Sequence, residues 1–84
     1  AMPSVDLARA YQALGQNDQA LKALDAALQR DESFVAFFER GRARAAAGNS
    51  AGAREDFQEA LRRALEAKND KQRAQVEEEL GKLP

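Results

Sequence analysis

The chain contains no cysteine, no histidine and no tryptophan. Without cysteine it forms no disulfide and no thiolate site. Without histidine it has no His-based catalytic triad and lacks most zinc ligand sets. Isoleucine and threonine are absent as well, and valine occurs only at Val5, Val35 and Val76. So few β-branched residues, with aromatics at 6%, exclude an all-β fold. Proline stands only at Pro3 and Pro84, so no proline interrupts a helix between them. Neither sign of charge dominates: 13 Lys and Arg face 14 Asp and Glu, a formal net charge of −1. A nucleic-acid partner is therefore not expected, because such domains carry a basic excess. No segment approaches the ~20 apolar residues of a membrane span. The N-terminus shows neither the basic nor the apolar region of a signal peptide. Ala1-Met2 reads as a truncation point, so the 84 residues are expected to be an excised piece of a longer protein.

Alanine supplies 19 of those residues, 44% are apolar and 32% are charged, the composition of a small globular helical chain. Sliding the chain against itself gives one strong offset, 33 residues. At that shift Arg9, Ala10, Ala13, Gly15, Ala20, Ala27, Leu28 and Arg30 fall on identical residues, the last on Arg63. Asp6 falls on Glu39, Ala8 on Gly41 and Leu24 on Phe57. A second shift reaches Ala74, Leu80 and Gly81. The chain thus holds two repeats, over 3–33 and 34–67, and a final helix over 70–83 that forms the first half of a third.

Each repeat reads as two helices. The first is expected over 3–14, with Pro3 in its first turn, Leu7, Ala10, Tyr11 and Leu14 on one face, and Gly15 as its stop. The second runs over 17–30, with Asn17 and Asp18 at its start and Ala20, Leu21, Leu24, Ala27 and Leu28 as its apolar stripe. A third is expected over 34–47, closed by Gly48. The fourth runs over 50–67 with Ala53, Phe57, Ala60, Leu61, Ala64 and Leu65 inward. Asn69-Asp70 opens the last, which presents Val76, Leu80 and Leu83 to the fourth. The connections are short, so successive helices pack antiparallel.

The residues Leu7, Ala8, Tyr11, Gly15, Ala20, Leu24 and Ala27, followed in phase by Phe37, Gly41, Gly48, Ala53, Phe57 and Ala60, resemble the tetratricopeptide repeat. The resemblance implies an all-α superhelix of about five antiparallel helices, with no cofactor and no catalytic role. Small residues explain the pattern physically: Ala8 meets Ala20, and Gly41 meets Ala53, where two helices approach closely. Leu24 and Phe57 then fill the space between hairpins. Stacking is compulsory, because one hairpin cannot bury its own stripe. The chain departs from the pattern in its period, one short of the family's ~34. Glu32 and Leu65 replace the usual proline, and Arg40 and Arg44 replace the usual apolar pair of the second repeat.

The resemblance implies a concave groove that binds a peptide or partner protein. Its lining positions fall on Met2, Val5, Arg9 and Gln12, then on Val35, Phe38, Arg42 and Ala45, and on Lys71, Gln75 and Glu78 of the last helix. Stacked repeats would set Arg9 above Arg42 with Phe38 alongside, a wall suited to an acidic or C-terminal peptide carrying an apolar residue. The alternative is that both arginines are solvated surface charges. The Lys/Asn carboxylate clamp of the family's co-chaperone members is absent, since Val5, Arg9 and Glu39 stand there. Arg40 and Arg44 share a helix face and Arg42 lies opposite, so the run reads as solvated surface, as does Arg62-Arg63. Glu77, Glu78 and Glu79 fan around their helix and hold no ion. No nucleophile–base pair and no glycine-rich phosphate loop is visible. The rival function is self-association, through an apolar first helix that no preceding repeat covers.

Overall fold

The computed structural model describes residues 4–84. The expectations for Met2 and Pro3 lie outside those residues. Five helices follow one another: α1 (Val5–Ala13), α2 (Asn17–Arg30), α3 (Phe34–Ala46), α4 (Ser50–Glu66) and α5 (Asp70–Lys82). No strand occurs among the described residues.

Local side chains set most of the boundaries. Ser4, Ser33, Asn49 and Asn69 cap α1, α3, α4 and α5, each accepting from the backbone N–H three residues on at 3.0–3.2 Å. The exception is α2, whose cap Gln16 makes no side-chain bond, so Asn17 is a first-turn residue rather than the cap. Three helices end alike. Gly15 and Gly48 take φ of 75° and 85°, and the following N–H reaches back to Tyr11 and Arg44 carbonyls at 2.8 Å. The same closure ends α4 at Lys68, φ 55°, with Asn69 N–H donating to Ala64 at 2.9 Å.

Each helix packs on the next, and α1 also touches α3. Ala8, Ala20, Ala23, Leu24 and Ala43 form one buried cluster where α1, α2 and α3 meet. Leu28, Ala36, Phe37, Ala53, Phe57, Ala60 and Val76 form the other, joining α2 to α5. Leu61, Leu80 and Leu83 pack at its margin, the expected seat of the last helix. Phe57 and Leu24 are both fully buried. Ala27 is only half-buried, unlike its counterpart Ala60.

Two expected stripes differ. Leu65 is exposed, because α5 crosses α4 nearer its middle, over Phe57 and Leu61. On α1 the stripe divides: Leu7 and Tyr11 pack on the first cluster, whereas Ala10 and Leu14 face away from it. Leu7 and Tyr11 are half-buried, Ala10 is exposed and Leu14 is 70% exposed, whereas Ala8 is buried. The counterpart of Ala10, Ala43, is buried because a hairpin precedes it.

Candidate functional site

Stacking α3 beside α1 sets Arg9 and Arg42 around one acidic side chain. Arg9 Nη2 and Arg42 Nη1 both lie 3.5 Å from Glu39 Oε1. Gln12 Nε2 donates to the Glu39 carbonyl at 3.4 Å. Glu39 is 2% exposed, while the two arginine side chains are 55% and 51% exposed, so their outer edges remain open to solvent. The mutual repulsion of the guanidiniums is thus already answered inside the chain. Glu39 Oε2 is buried with no hydrogen-bond partner among the described residues. The one sequence signal for this carboxylate is the acidic pair Asp6/Glu39 at the repeat spacing.

Phe38 lies half-buried beneath Arg42, whose guanidinium carbon is 5.9 Å from the ring centroid. Phe34 stacks on Phe38 at 5.5 Å, and Phe57 meets it at 5.8 Å with the rings tilted by 56°. Arg42 Nε also lies 3.7 Å from Glu79 of α5. Next to this wall opens a cleft of about 530 Å³ with Arg42 and Ala45 on one side and Glu79, Lys82 and Leu83 on the other, above Phe57. Val5 is half-buried and packs on both clusters. Val35 is exposed at the start of α3.

On α5 the expected positions and the cleft separate. Lys71 and Gln75 are exposed, two turns and one turn before Glu79, which is the residue that reaches Arg42. Glu78 pairs with Lys82 at 3.7 Å, and Glu77 pairs with Arg73 at 2.7 Å. No group of metal-ligating residues converges among the described residues.

The other arginines correct the solvated-surface reading. Arg40 grips buried Asp56 with two bonds, Nε to Oδ2 at 3.0 Å and Nη2 to Oδ1 at 2.7 Å, and reaches Asp25 of α2 at 3.0 Å. Arg44 Nη1 approaches the same carboxylate at 3.1 Å. Hydrogen bonding to Asp56 raises the Arg40 pKa above the ordinary arginine value, outweighing the opposing effect of burial. These two arginines are structural, tying α3 to α4 and to the preceding hairpin. Arg63 lies over the Phe37 ring at 4.9 Å and pairs with Glu59 at 3.3 Å. Arg62 alone fits the surface reading, bound to exposed Glu66 and to Glu59 along α4, where hydrogen bonding holds the Glu59 carboxyl below its usual range.

Comparison with protein-family models matches residues 5–34 to the tetratricopeptide repeat. The matched segment is the first hairpin and the start of α3, and the second hairpin repeats it at the 33-residue spacing. Comparison with curated proteins and with solved structures gives no match. Repeats of this family generally mediate protein–protein interaction and are typically non-catalytic. No described helix is long and apolar enough to cross a membrane.

Proposed function

We propose that this chain, a repeat protein of tetratricopeptide type, is a single non-catalytic binding module that takes a peptide on the wall formed by α1, α3 and α5. The ligand is an acidic or C-terminal peptide with an apolar anchor. The observation that carries this reading is the cleft beside Arg42, which joins an apolar floor to two cationic side chains. Ala45 and Leu83 accept the anchor, and Arg42 and Lys82 receive the carboxylate. Arg9, Gln12, Val5 and Phe38 extend the wall toward the first repeat. Lys71 and Gln75 extend it along α5. Glu39 and Glu79 set its selectivity, because a ligand carboxylate competes with both for the same guanidinium.

The test begins with selection from a random-peptide library displayed with free C-termini. Affinities of the selected peptides are then compared for Arg42→Gln, Phe38→Ala and Arg62→Glu, each variant checked by circular dichroism. Arg42→Gln is preferred to a glutamate substitution, which would set a carboxylate against buried Glu39. Loss of a desolvated charge partner costs ~2–5 kcal/mol, so Arg42→Gln should weaken binding at least tenfold, and Arg62→Glu should leave it unchanged. Peptides that survive Arg42→Gln and Phe38→Ala but are lost with Arg62→Glu bind the opposite, α2–α4 side, and would overturn the reading.

A further inference from the structure

Among the described residues two acids are buried, Glu39 and Asp56, and each is shared by two arginines. They are built differently. Asp56 uses both oxygens: Arg40 donates to Oδ1 at 2.7 Å and to Oδ2 at 3.0 Å, and Arg44 lies 3.1 Å from Oδ2. Its arginines are only 19% and 26% exposed, so this junction is closed. Glu39 meets both partners with one oxygen. Arg9 and Arg42 each lie 3.5 Å from Oε1, longer than the ~2.7–2.9 Å of a closed charge-assisted bond. Oε2 is buried and accepts from neither. Glu39 therefore neutralises charge without occupying most of the donors of either arginine.

The charges then decide which acidic group suits this place. Arg9 and Arg42 carry two positive charges, Glu39 returns one negative, and one positive charge remains. The other acids nearby leave that balance standing. Glu79, 3.7 Å from Arg42, is matched by Lys82 at 3.6 Å. Asp6 and Glu78 are 94% and 72% exposed, and their pairs with Arg9 and Lys82 are screened by solvent. A carboxylate, with one charge, completes the balance. A phosphate ester or a sulfate ion, with up to two, sets its second charge against a buried carboxylate.

Resting on the peptide reading above, we infer that Glu39 is the specificity-determining residue of the wall: it restricts the ligand's acidic group to a single negative charge, a carboxylate, and rejects phosphate esters and sulfate. Both guanidiniums lie against one oxygen, so a doubly charged group that faces either of them also faces Glu39. Without that acid the same two arginines would fit a dianion best, since paired guanidiniums match phosphate in charge and geometry. A peptide carrying phosphoserine in place of its acidic residue is therefore excluded.

The test follows the guanidinium signals of Arg9 and Arg42 by nuclear magnetic resonance as sodium acetate or sodium sulfate is added to the full chain at constant ionic strength. In the wild type, sulfate should bind no more tightly than acetate, or leave both signals unmoved. Glu39→Gln should tighten sulfate roughly tenfold and acetate by no more than about threefold. A purely structural role for Glu39 would move both ions by the same factor, and that result overturns the inference. So does a wild-type chain that binds sulfate more tightly than acetate, a comparison that decides the matter by itself if circular dichroism shows Glu39→Gln unfolded. These measurements need no peptide. A chain that selects no peptide sinks the peptide reading and leaves the ion preference standing, whereas a sulfate preference sinks this inference and leaves the dependence of selected peptides on Arg42 as it was.

Discussion

The ring of Phe57 occupies the space into which a side chain at Gly41 would project: a Cβ there would lie 2.7 Å from Cε1 and 2.8 Å from Cδ1. The same place in the first repeat holds Ala8 and Leu24, both fully buried. A larger residue on one helix is matched by a smaller one on its partner, and each hairpin closes with a different division of the same volume. The pairing explains why a glycine, poor in helix propensity, sits in the middle of α3.

This coupling is measurable as a double-mutant cycle. Gly41→Ala gains ~1 kcal/mol of helix propensity but overpacks against a buried ring, at a cost of ~1–3 kcal/mol or more, and should destabilise overall. Phe57→Leu alone loses packing in the larger cluster. The double variant recreates the Ala8–Leu24 pair, so the two effects should fall short of additivity by ~0.5–3 kcal/mol in urea unfolding. Additive losses would contradict the shared-volume account.

Asp56 carries a different load. It is buried and neutralises two arginines, so Asp56→Ala leaves both without their main partner. The expected loss is ~3 kcal/mol, with little dependence on salt because the group is shielded from solvent. Arg62→Ala, on the exposed side of α4, should change stability by about 0.5 kcal/mol or less. Equal small losses at both sites in chemical denaturation would return Arg40 and Arg44 to the status of surface charges.

The end of α4 points to a stabilising change. Lys68 holds the left-handed conformation that glycine holds at Gly15 and Gly48. An L-residue there costs ~1–2 kcal/mol, part of which returns as chain entropy when glycine replaces it. Lys68→Gly should therefore raise the denaturation midpoint by an amount equivalent to ~0.5–1 kcal/mol. A lowered midpoint would mean that Lys68 makes a compensating contact.

The last helix covers the large cluster. Val76 is fully buried, and Leu80 and Leu83 flank it. Burial of each large apolar side chain contributes ~1.5–3 kcal/mol, a substantial share of the ~5–15 kcal/mol that holds a domain folded. Removing residues 70–84 should abolish cooperative melting or cause aggregation. A truncated chain that remains monomeric with unchanged melting would show that α5 is dispensable.

Much of this fold was legible because its punctuation is local. Ser33, Asn49, Asn69, Gly15 and Gly48 mark helix ends whatever the tertiary context, and the repeat spacing aligned the small positions. What periodicity could not supply was the identity of the neighbour. Leu7, Ala10, Tyr11 and Leu14 share a face, but among the described residues only Leu7 and Tyr11 of it pack on a cluster. Spacing alone puts Arg40 and Arg44 on one face; their partner Asp56 lies on the next helix, beyond the reach of local spacing. That Arg9, Phe38 and Arg42 come close together is readable from their repeat-equivalent or adjacent positions. The part of Glu39 and Glu79 is not, since they matter only once α1, α3 and α5 stand side by side. Lys71 and Gln75 lie off the cleft and Glu79 and Lys82 line it, because Val76 seats α5 against α4 at Phe57 and Ala60.

Backbone amide shifts followed by nuclear magnetic resonance, as a selected free-carboxylate peptide is added to isotopically labelled chain, test the binding account most directly. The account predicts that the perturbed amides cluster at Phe38, Arg42 and Ala45 on α3 and at Glu79, Lys82 and Leu83 on α5, with side-chain guanidinium signals of Arg42 moving and those of Arg62 still. Perturbations confined to α2 and α4, around Lys22 and Arg62, would contradict it.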